Sequence, residues 1–388
     1  MRVTRFSQFV PVASKAFPCD PLAPARPTRS PAHRPPILLF LFSALLLVFS
    51  PVLARGQEAK TANQKQATDY TSIVIFGDSL SDVGNVADLA EAKYGFRFPG
   101  PLFDYTDGRF TDGADTEPPA EGYFGVWIEQ LAATFPSKPQ VKASLDGGTD
   151  YAYGFAFTGS GTSVFSFGPY AVNVNNIGLQ ISDYLATNPK IIDKTLFVVW
   201  GGANDLLNAT NEDEVIDAGI NQMLNIQRLI DAGATQFIVP NLPPLGLVPR
   251  LNGSPITSVP ATEATALYNE VLAGGIGVLQ GFNLDKNLNL SQLDVFDLFY
   301  RIVATPSDYS LVNVTDSSQG IAVDPDTYLF WDGLHPTTHG HNILAQTAAT
   351  VLASSESREG SVKSGKGLTN LHADLAGELV NSSERTGH

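Results

Sequence analysis

The sequence predicts an α/β fold built on a mainly parallel sheet, and three observations carry that expectation. Short apolar runs such as Ile73 to Ile75 and Thr195 to Trp200 are separated by segments whose apolar residues recur at helical spacing. Alternation of that kind builds βαβ units, which bury a parallel sheet between helices. The third observation is positional: Ser79, Gly154 and Asn204 each fall at or near the end of a predicted strand, where open parallel sheets hold their ligands.

Taken in order, a strand is expected at about 72–77, then a helix over 82–93. Residues 94–122 form a long loop rich in Gly, Pro and Asp, in which six acids (Asp104, Asp107, Asp112, Asp115, Glu117, Glu121) surround Arg109. A loop of that length is usually functional or disordered, and it is expected to rim the site rather than to cage a metal. Phe124, Trp127, Ile128 and Leu131 mark an amphipathic helix over 123–135, with its aromatics in the core. A strand over 150–157, a Gly/Ser/Thr loop at 158–163 and a helix over 177–185 follow. After the strand Thr195–Trp200 come a helix over 215–232, a strand at 236–239 and a helix over 261–279. Residues 293–299 are strand-like, 341–352 form a closing helix, and 354–388 form a flexible polar tail.

The first 54 residues differ in kind. Six basic residues and one acid, Asp20, lead into an apolar run at 37–49 and a Val52-Leu53-Ala54 site. That pattern is expected of a secretory signal peptide cleaved near Ala54, with an N-terminal membrane anchor as the alternative. A polar linker over 55–70 would then precede a domain over 71–353, in a secreted, periplasmic or extracellular protein. Removing six of the 24 basic and one of the 39 acidic residues leaves 18 and 38, a balance of −20. Such a charge repels nucleic acid and anionic membranes and favours neutral or zwitterionic substrates. No later stretch is long and apolar enough to span a bilayer. The only cysteine, Cys19, lies in the removed segment, so no disulfide, thiol nucleophile or cysteine metal site is expected in the mature chain. Sequons occur at Asn208, Asn252, Asn289, Asn313 and Asn381.

Ser79 sits in Phe76-Gly-Asp-Ser-Leu-Ser-Asp-Val-Gly-Asn85, a Gly-containing turn after a buried strand. A serine hydroxyl needs a base, an orienting group and an oxyanion site to act as a nucleophile. Of six histidines only His335, His339 and His341 belong to the folded body, and His335 follows Asp332 by three residues. An Asp-x-x-His pair places a carboxylate on Nδ1 and leaves Nε2 to take a serine proton, or it is a surface pair. His335, His339 and His341 also raise a zinc alternative, although Pro336 and Gly340 spoil a regular helical face. Asn204 closes the turn Gly201-Gly-Ala-Asn-Asp205, where its amide is able to donate to an oxyanion and Asp205 to brace the turn. No Gly-x-Ser-x-Gly elbow occurs, and the phosphate-loop imitation at 360–366 is followed by Gly367 where Ser or Thr is required.

Together these blocks make the chain resemble the GDSL esterase/lipase family of the SGNH hydrolases. Gly77-Asp-Ser-Leu80 with Ser81-Asp-Val-Gly-Asn85, then Gly108-Arg-Phe-Thr-Asp-Gly113, Gly202-Ala-Asn-Asp205, Asn241-Leu-Pro-Pro-Leu-Gly246 and Asp332 to His335 occur in the family's order. The resemblance implies a flavodoxin-like three-layer α/β/α sandwich and a Ser79–His335–Asp332 triad. It also implies an oxyanion hole of the Ser79 N–H, the Gly154 N–H and the Asn204 side chain, with no cofactor or metal. The second block departs from the family: Asp150-Tyr-Ala-Tyr-Gly-Phe-Ala156 has Phe155 where a second glycine is usual. The expected activity is hydrolysis of carboxylic esters through an acyl-enzyme, favouring short-chain or carbohydrate acetyl esters. The rival readings are a lipase or phospholipase and a catalytically silent binding module on the same fold.

Overall fold

A computed structural model describes residues 69–113, 122–188 and 190–364, with side chains to residue 354. The expected signal peptide, most of the expected linker, Cys19, the acids Asp115, Glu117 and Glu121, and the sequon at Asn381 lie outside the described residues.

In chain order the elements are β1 (Ser72–Gly77), α1 (Asn85–Tyr94), α2 (Trp127–Thr134), β2 (Thr162–Phe167), β3 (Tyr170–Asn175), α3 (Ile177–Thr187), β4 (Thr195–Trp200), α4 (Ala203–Asn208) and α5 (Glu212–Asp231). They continue with β5 (Gln236–Pro240), α6 (Pro249–Asn252), α7 (Pro255–Phe282), β6 (Asn289–Leu293), α8 (Val295–Ala304), β7 (Asn313–Ser317), β8 (Tyr328–Phe330) and α9 (Thr338–Ser364). The strands β1, β4, β5 and β6 form one sheet in that spatial order, every pair parallel. Helix α3 packs on α5 and α5 on α7, and α2 packs on α9, which completes the α/β/α sandwich.

Burial explains why β1 and β4 are unbroken apolar runs. Both faces of a parallel sheet are covered, and every residue of β4 is buried. A fully buried Val, Leu or Phe contributes roughly 1.5–3 kcal/mol, so Leu196 to Trp200 stabilise the centre of the domain. The β1–β4 approach is close enough that a Cβ on Gly77 would meet the Trp200 carbonyl oxygen at 2.6 Å. Glycine is therefore required where β1 ends. Gln180 of α3 seals that end by donating to the Gly77 carbonyl and accepting from its N–H, each at 2.9 Å.

Four segments differ from the sequence expectation. Residues 150–157 run beside β1, with Tyr151 N–H donating to Ile75 O and Tyr153 N–H to Gly77 O, but a turn closed by Ala156 N–H on Tyr153 O replaces a strand. The expected loop at 158–163 leads into an antiparallel hairpin of β2 and β3. Strand β6 ends at Leu293, so the expected strand 293–299 is largely helix α8. Asp294 caps that helix by accepting from Asp297 N–H at 3.0 Å. The closing helix runs to Ser364, past the expected end at 352 and into the expected tail.

The rim loop is tied down more firmly than its composition implies. Arg109 pairs at 2.6 Å with Glu129, on α2, rather than with the carboxylates around it in the loop. Both partners are buried, and Glu129 also accepts from Val126 N–H. Phe98 stacks on Phe167 at 4.3 Å, joining the loop to the hairpin.

His341 of α9 is fully buried, and neither ring nitrogen has a hydrogen-bond partner among the described residues. Burial, with a smaller effect of nearby His335, pushes its pKa down from 6.5 to about 3. A depressed histidine pKa leaves the folded state unable to take the proton that the unfolded chain takes. Its contribution to stability is complete above pH 6.5 and is lost as pH falls toward 3. Relative to a His341→Leu variant, the wild type should lose about 1.4 kcal/mol per pH unit below that point, measured by urea unfolding across the acid range. Parallel pH profiles for the two proteins would contradict this.

Candidate active site

Three strand ends build the site. After β1, the Asp78 carbonyl accepts from the N–H groups of Ser81 and Asp82, both at 3.1 Å, and the Asp78 side chain accepts from Leu80 N–H. The resulting tight turn leaves Ser79 half-buried at its tip. After β4, Gly201 and Gly202 lead into α4, whose second residue is Asn204. After β8, Asp332 folds the chain back on itself: its Oδ1 accepts from Leu334 N–H at 2.7 Å and His335 N–H at 2.8 Å.

These turns bring Ser79, His335 and Asp332 together. His335 Nε2 lies 2.9 Å from Ser79 Oγ, and His335 Nδ1 lies 2.7 Å from Asp332 Oδ2. Burial alone would raise the Asp332 pKa, but attraction to the imidazole and hydrogen bonds from His335 and Leu334 outweigh it and hold the group at about 2. Asp332 is thus an anion that fixes which imidazole nitrogen bears hydrogen.

Asn204 lines the same cavity as Ser79 and His335. One of its amide hydrogens is used on Ala156 O at 3.0 Å, which holds the side chain, and the amide has no second acceptor among the described residues. Asp205 accepts from both the N–H and the hydroxyl of Thr158, so it braces the adjoining loop.

Gly154 is where the geometry departs from the expected oxyanion set. Its N–H donates to Asp82 Oδ2 at 2.9 Å, so this amide already has a partner. A Cβ on Gly154 would lie 2.5 Å from the Phe110 ring, which accounts for the glycine by packing. The next amide, that of Phe155, has no hydrogen-bond partner among the described residues. Phe155 has φ 68°, in the left-handed region, where a bulky side chain is strained by roughly 1–3 kcal/mol. Its ring is held against Phe157 and Phe165 at 5.3 and 5.8 Å.

The expected zinc alternative finds its histidines on separate tasks. His335 faces Ser79 and Asp332, His339 stacks on Tyr123 and bonds Asp326 O, and His341 is enclosed in the core. No cluster of three metal-ligating side chains occurs among the described residues.

Sequence reasoning missed Tyr105. Its hydroxyl donates to Asp332 Oδ2 at 2.7 Å, the same oxygen that faces the imidazole. A tyrosine in a long acidic loop carries no local signal of such a role, because its partner lies 227 residues away. Beside it, Thr111 donates to Pro336 O and Asp112 accepts from Thr338 N–H. Phe110 lies with its ring 5.1 Å from that of His335.

An α/β sandwich with a serine, an imidazole and a carboxylate in hydrogen-bonded line at its strand ends has the layout of an acyl-transfer enzyme. Comparison with known proteins makes the class specific: residues 73–348 match the family described as GDSL-like Lipase/Acylhydrolase, and the chain belongs to that family. It is a carboxylic ester hydrolase. A phosphatidylcholine-sterol acyltransferase of Aeromonas hydrophila is 25% identical over 333 residues, covering 74% of this chain and 91% of that protein. A GDSL esterase/lipase of Arabidopsis thaliana is 28% identical, covering 72% and 88%. An acetylesterase of Thermothelomyces thermophilus is also 28% identical, covering 77% and 94%.

Tyr105→Phe removes one hydrogen bond to a buried carboxylate without changing the ring. It should lower kcat on p-nitrophenyl acetate about tenfold with KM little changed. A variant with unaltered kcat would show that the contact does not hold the carboxylate in place.

Proposed function

We propose that this chain is a secreted serine esterase that cleaves short-chain or carbohydrate acetyl esters through an acyl-enzyme. The observation that carries the reading is the continuous line from Ser79 Oγ to His335 Nε2, 2.9 Å, and from His335 Nδ1 to Asp332 Oδ2, 2.7 Å. In this reading Ser79 Oγ attacks the ester carbonyl while its proton passes to Nε2, and Asp332 stabilises the imidazolium. The oxyanion receives hydrogen bonds from the Ser79 N–H, the free Asn204 amide hydrogen and the Phe155 N–H, which takes the place expected of Gly154. Collapse breaks the ester C–O bond, and the imidazolium returns its proton to the departing alcohol. Water then adds to the acyl-enzyme with His335 as base, releasing the acid and regenerating Ser79.

The substrate preference rests on charge and on relatives. Asp104, Asp112, Asp324 and Asp326 line a cleft with Tyr105 and Trp331, and a negative field disfavours anionic substrates. A similar fungal protein is an acetylesterase. Among the described residues no helix is long and apolar enough to cross a membrane, and secretion rests on the leader pattern before Ala54. The N-terminal sequence of protein recovered outside the cell should begin near Arg55.

Ser79→Ala should abolish both p-nitrophenyl acetate turnover and labelling by a fluorophosphonate. Asn204→Ala should cost less, about 10²–10³ in kcat, because two backbone donors remain. Full turnover by Ser79→Ala would sink the reading, and an unlabelled but folded wild type would favour a silent binding module.

A further inference from the structure

Ser79 and His335 open onto an apolar cavity of about 50 Å³, bordered by the motif residues Asp78, Leu80, Asn204, Pro243 and Leu245 and completed by residues outside any motif. Its walls come from elements far apart in the chain: Trp200 at the end of β4, Leu207 on α4, Val248 before α6, Phe299 on α8, Leu334 beside His335 and Leu344 on α9. Exposure gives it a direction. Leu207 and Leu334 are half-buried and stand at the mouth, whereas Trp200, Val248, Phe299 and Leu344 are each 3% exposed or less and close the far end.

We propose that this cavity is the acyl chamber of the enzyme, sized for a chain of two to about four carbons, and that Phe299 and Leu207 set that limit. The inference rests on the esterase reading above and names which part of the ester the chamber takes. A water needs at least about 10–15 Å³ of such volume, so 50 Å³ admits about three to five groups of that size. The acyl group stays bonded to Ser79 through half of the cycle, whereas the alcohol must leave before water enters. A closed chamber suits the tethered group. The Phe110 ring, beside His335 but outside the cavity lining, and the rim loop at Asp332 also border the site, and in this proposal the alcohol leaves past them. The cavity's one carboxyl, Asp78, is pushed by burial to a pKa of about 7, which limits the charge that an acyl chain would meet there.

The test is a series of p-nitrophenyl esters from acetate to dodecanoate, read as ratios of kcat/KM within one preparation so that the active fraction cancels. The wild type should peak between two and four acyl carbons and fall about tenfold or more by eight. Phe299→Ala opens the closed end and should raise the octanoate-to-acetate ratio about tenfold; Leu207→Phe narrows the mouth and should lower the butyrate-to-acetate ratio by a similar factor. Phe299 is a core residue, so Leu207→Phe, at a half-buried position, keeps the test available if Phe299→Ala does not fold. A wild-type peak at eight carbons or beyond, or ratios unmoved in the folded variants, would overturn the chamber while leaving the esterase intact. Failure to turn over any ester would overturn both.

Discussion

Asp82 and Asp150 are fully buried carboxylates, and the turn that presents Ser79 is held by what they accept. Asp82 takes the N–H groups of Gly84, Asn85 and Val86 at the start of α1 and reaches across to Gly154. Asp150 takes those of Val83 and Ala152. Asn85 closes the knot, donating to the carbonyls of Asp150 and Ala152 and accepting from Ser144 and Leu145. Burial pushes the Asp82 pKa up to about 6 and that of Asp150 well above its usual value, so the arrangement is costly in isolation. What offsets the cost is satisfaction: each of these carboxylates receives at least two hydrogen bonds, and removing one member would orphan several buried N–H groups. The turn bearing Ser79 and the segment bearing the Phe155 amide are thereby tied into one piece, which is what the proposed oxyanion donors would need.

Strands β1, β4 and β5 were legible because a doubly covered strand has to be a continuous apolar run, as in Thr195–Trp200, whereas β6 lies before the strand expected at 293–299. Ser79, Asn204 and the Asp332–His335 pair were legible for a related reason, since each occupies a turn directly after a strand or in a late loop with distinctive local chemistry. The boundary at Leu293 was harder. Residues 293–299 contain enough apolar side chains for either period, and only the Asp294 cap separates strand from helix. The hairpin of β2 and β3 was hidden because β2 begins at Thr162 and Ser163, inside the Gly/Ser/Thr run that reads as a loop. Tyr105 and the closed end of the cavity were invisible in principle, because long-range packing alone assigns them.

Asp332 joins parts that the sequence keeps far apart. Its two oxygens receive two backbone amides of its own loop, the imidazole and the Tyr105 hydroxyl. Through Tyr105 the rim loop is fastened to the carboxylate, and through Thr111 and Asp112 to Pro336 and Thr338 just beyond the histidine. The buried Arg109–Glu129 pair then anchors that loop to α2. Such a pair contributes little net stability over apolar packing, but it fixes where the loop sits, and so where Tyr105 meets Asp332.

Phe155 shows how this frame accommodates an unusual residue at a demanding position. The backbone there is left-handed and its amide has no hydrogen-bond partner among the described residues, and glycine would adopt it without strain. Phenylalanine pays in conformation, yet its ring packs against Phe157 and Phe165, and Phe165 packs in turn against Phe98 and Phe110. The strained backbone is therefore held from two sides, by the Asp82 contact to Gly154 just before it and by an aromatic cluster reaching the ring beside His335. A glycine would free the amide's orientation, whereas the phenylalanine ties it to the same packing that positions Phe110 against the imidazole. The departure from the family's second glycine thus keeps a backbone N–H at this position and couples it, through Phe165, to the Phe110 ring beside His335.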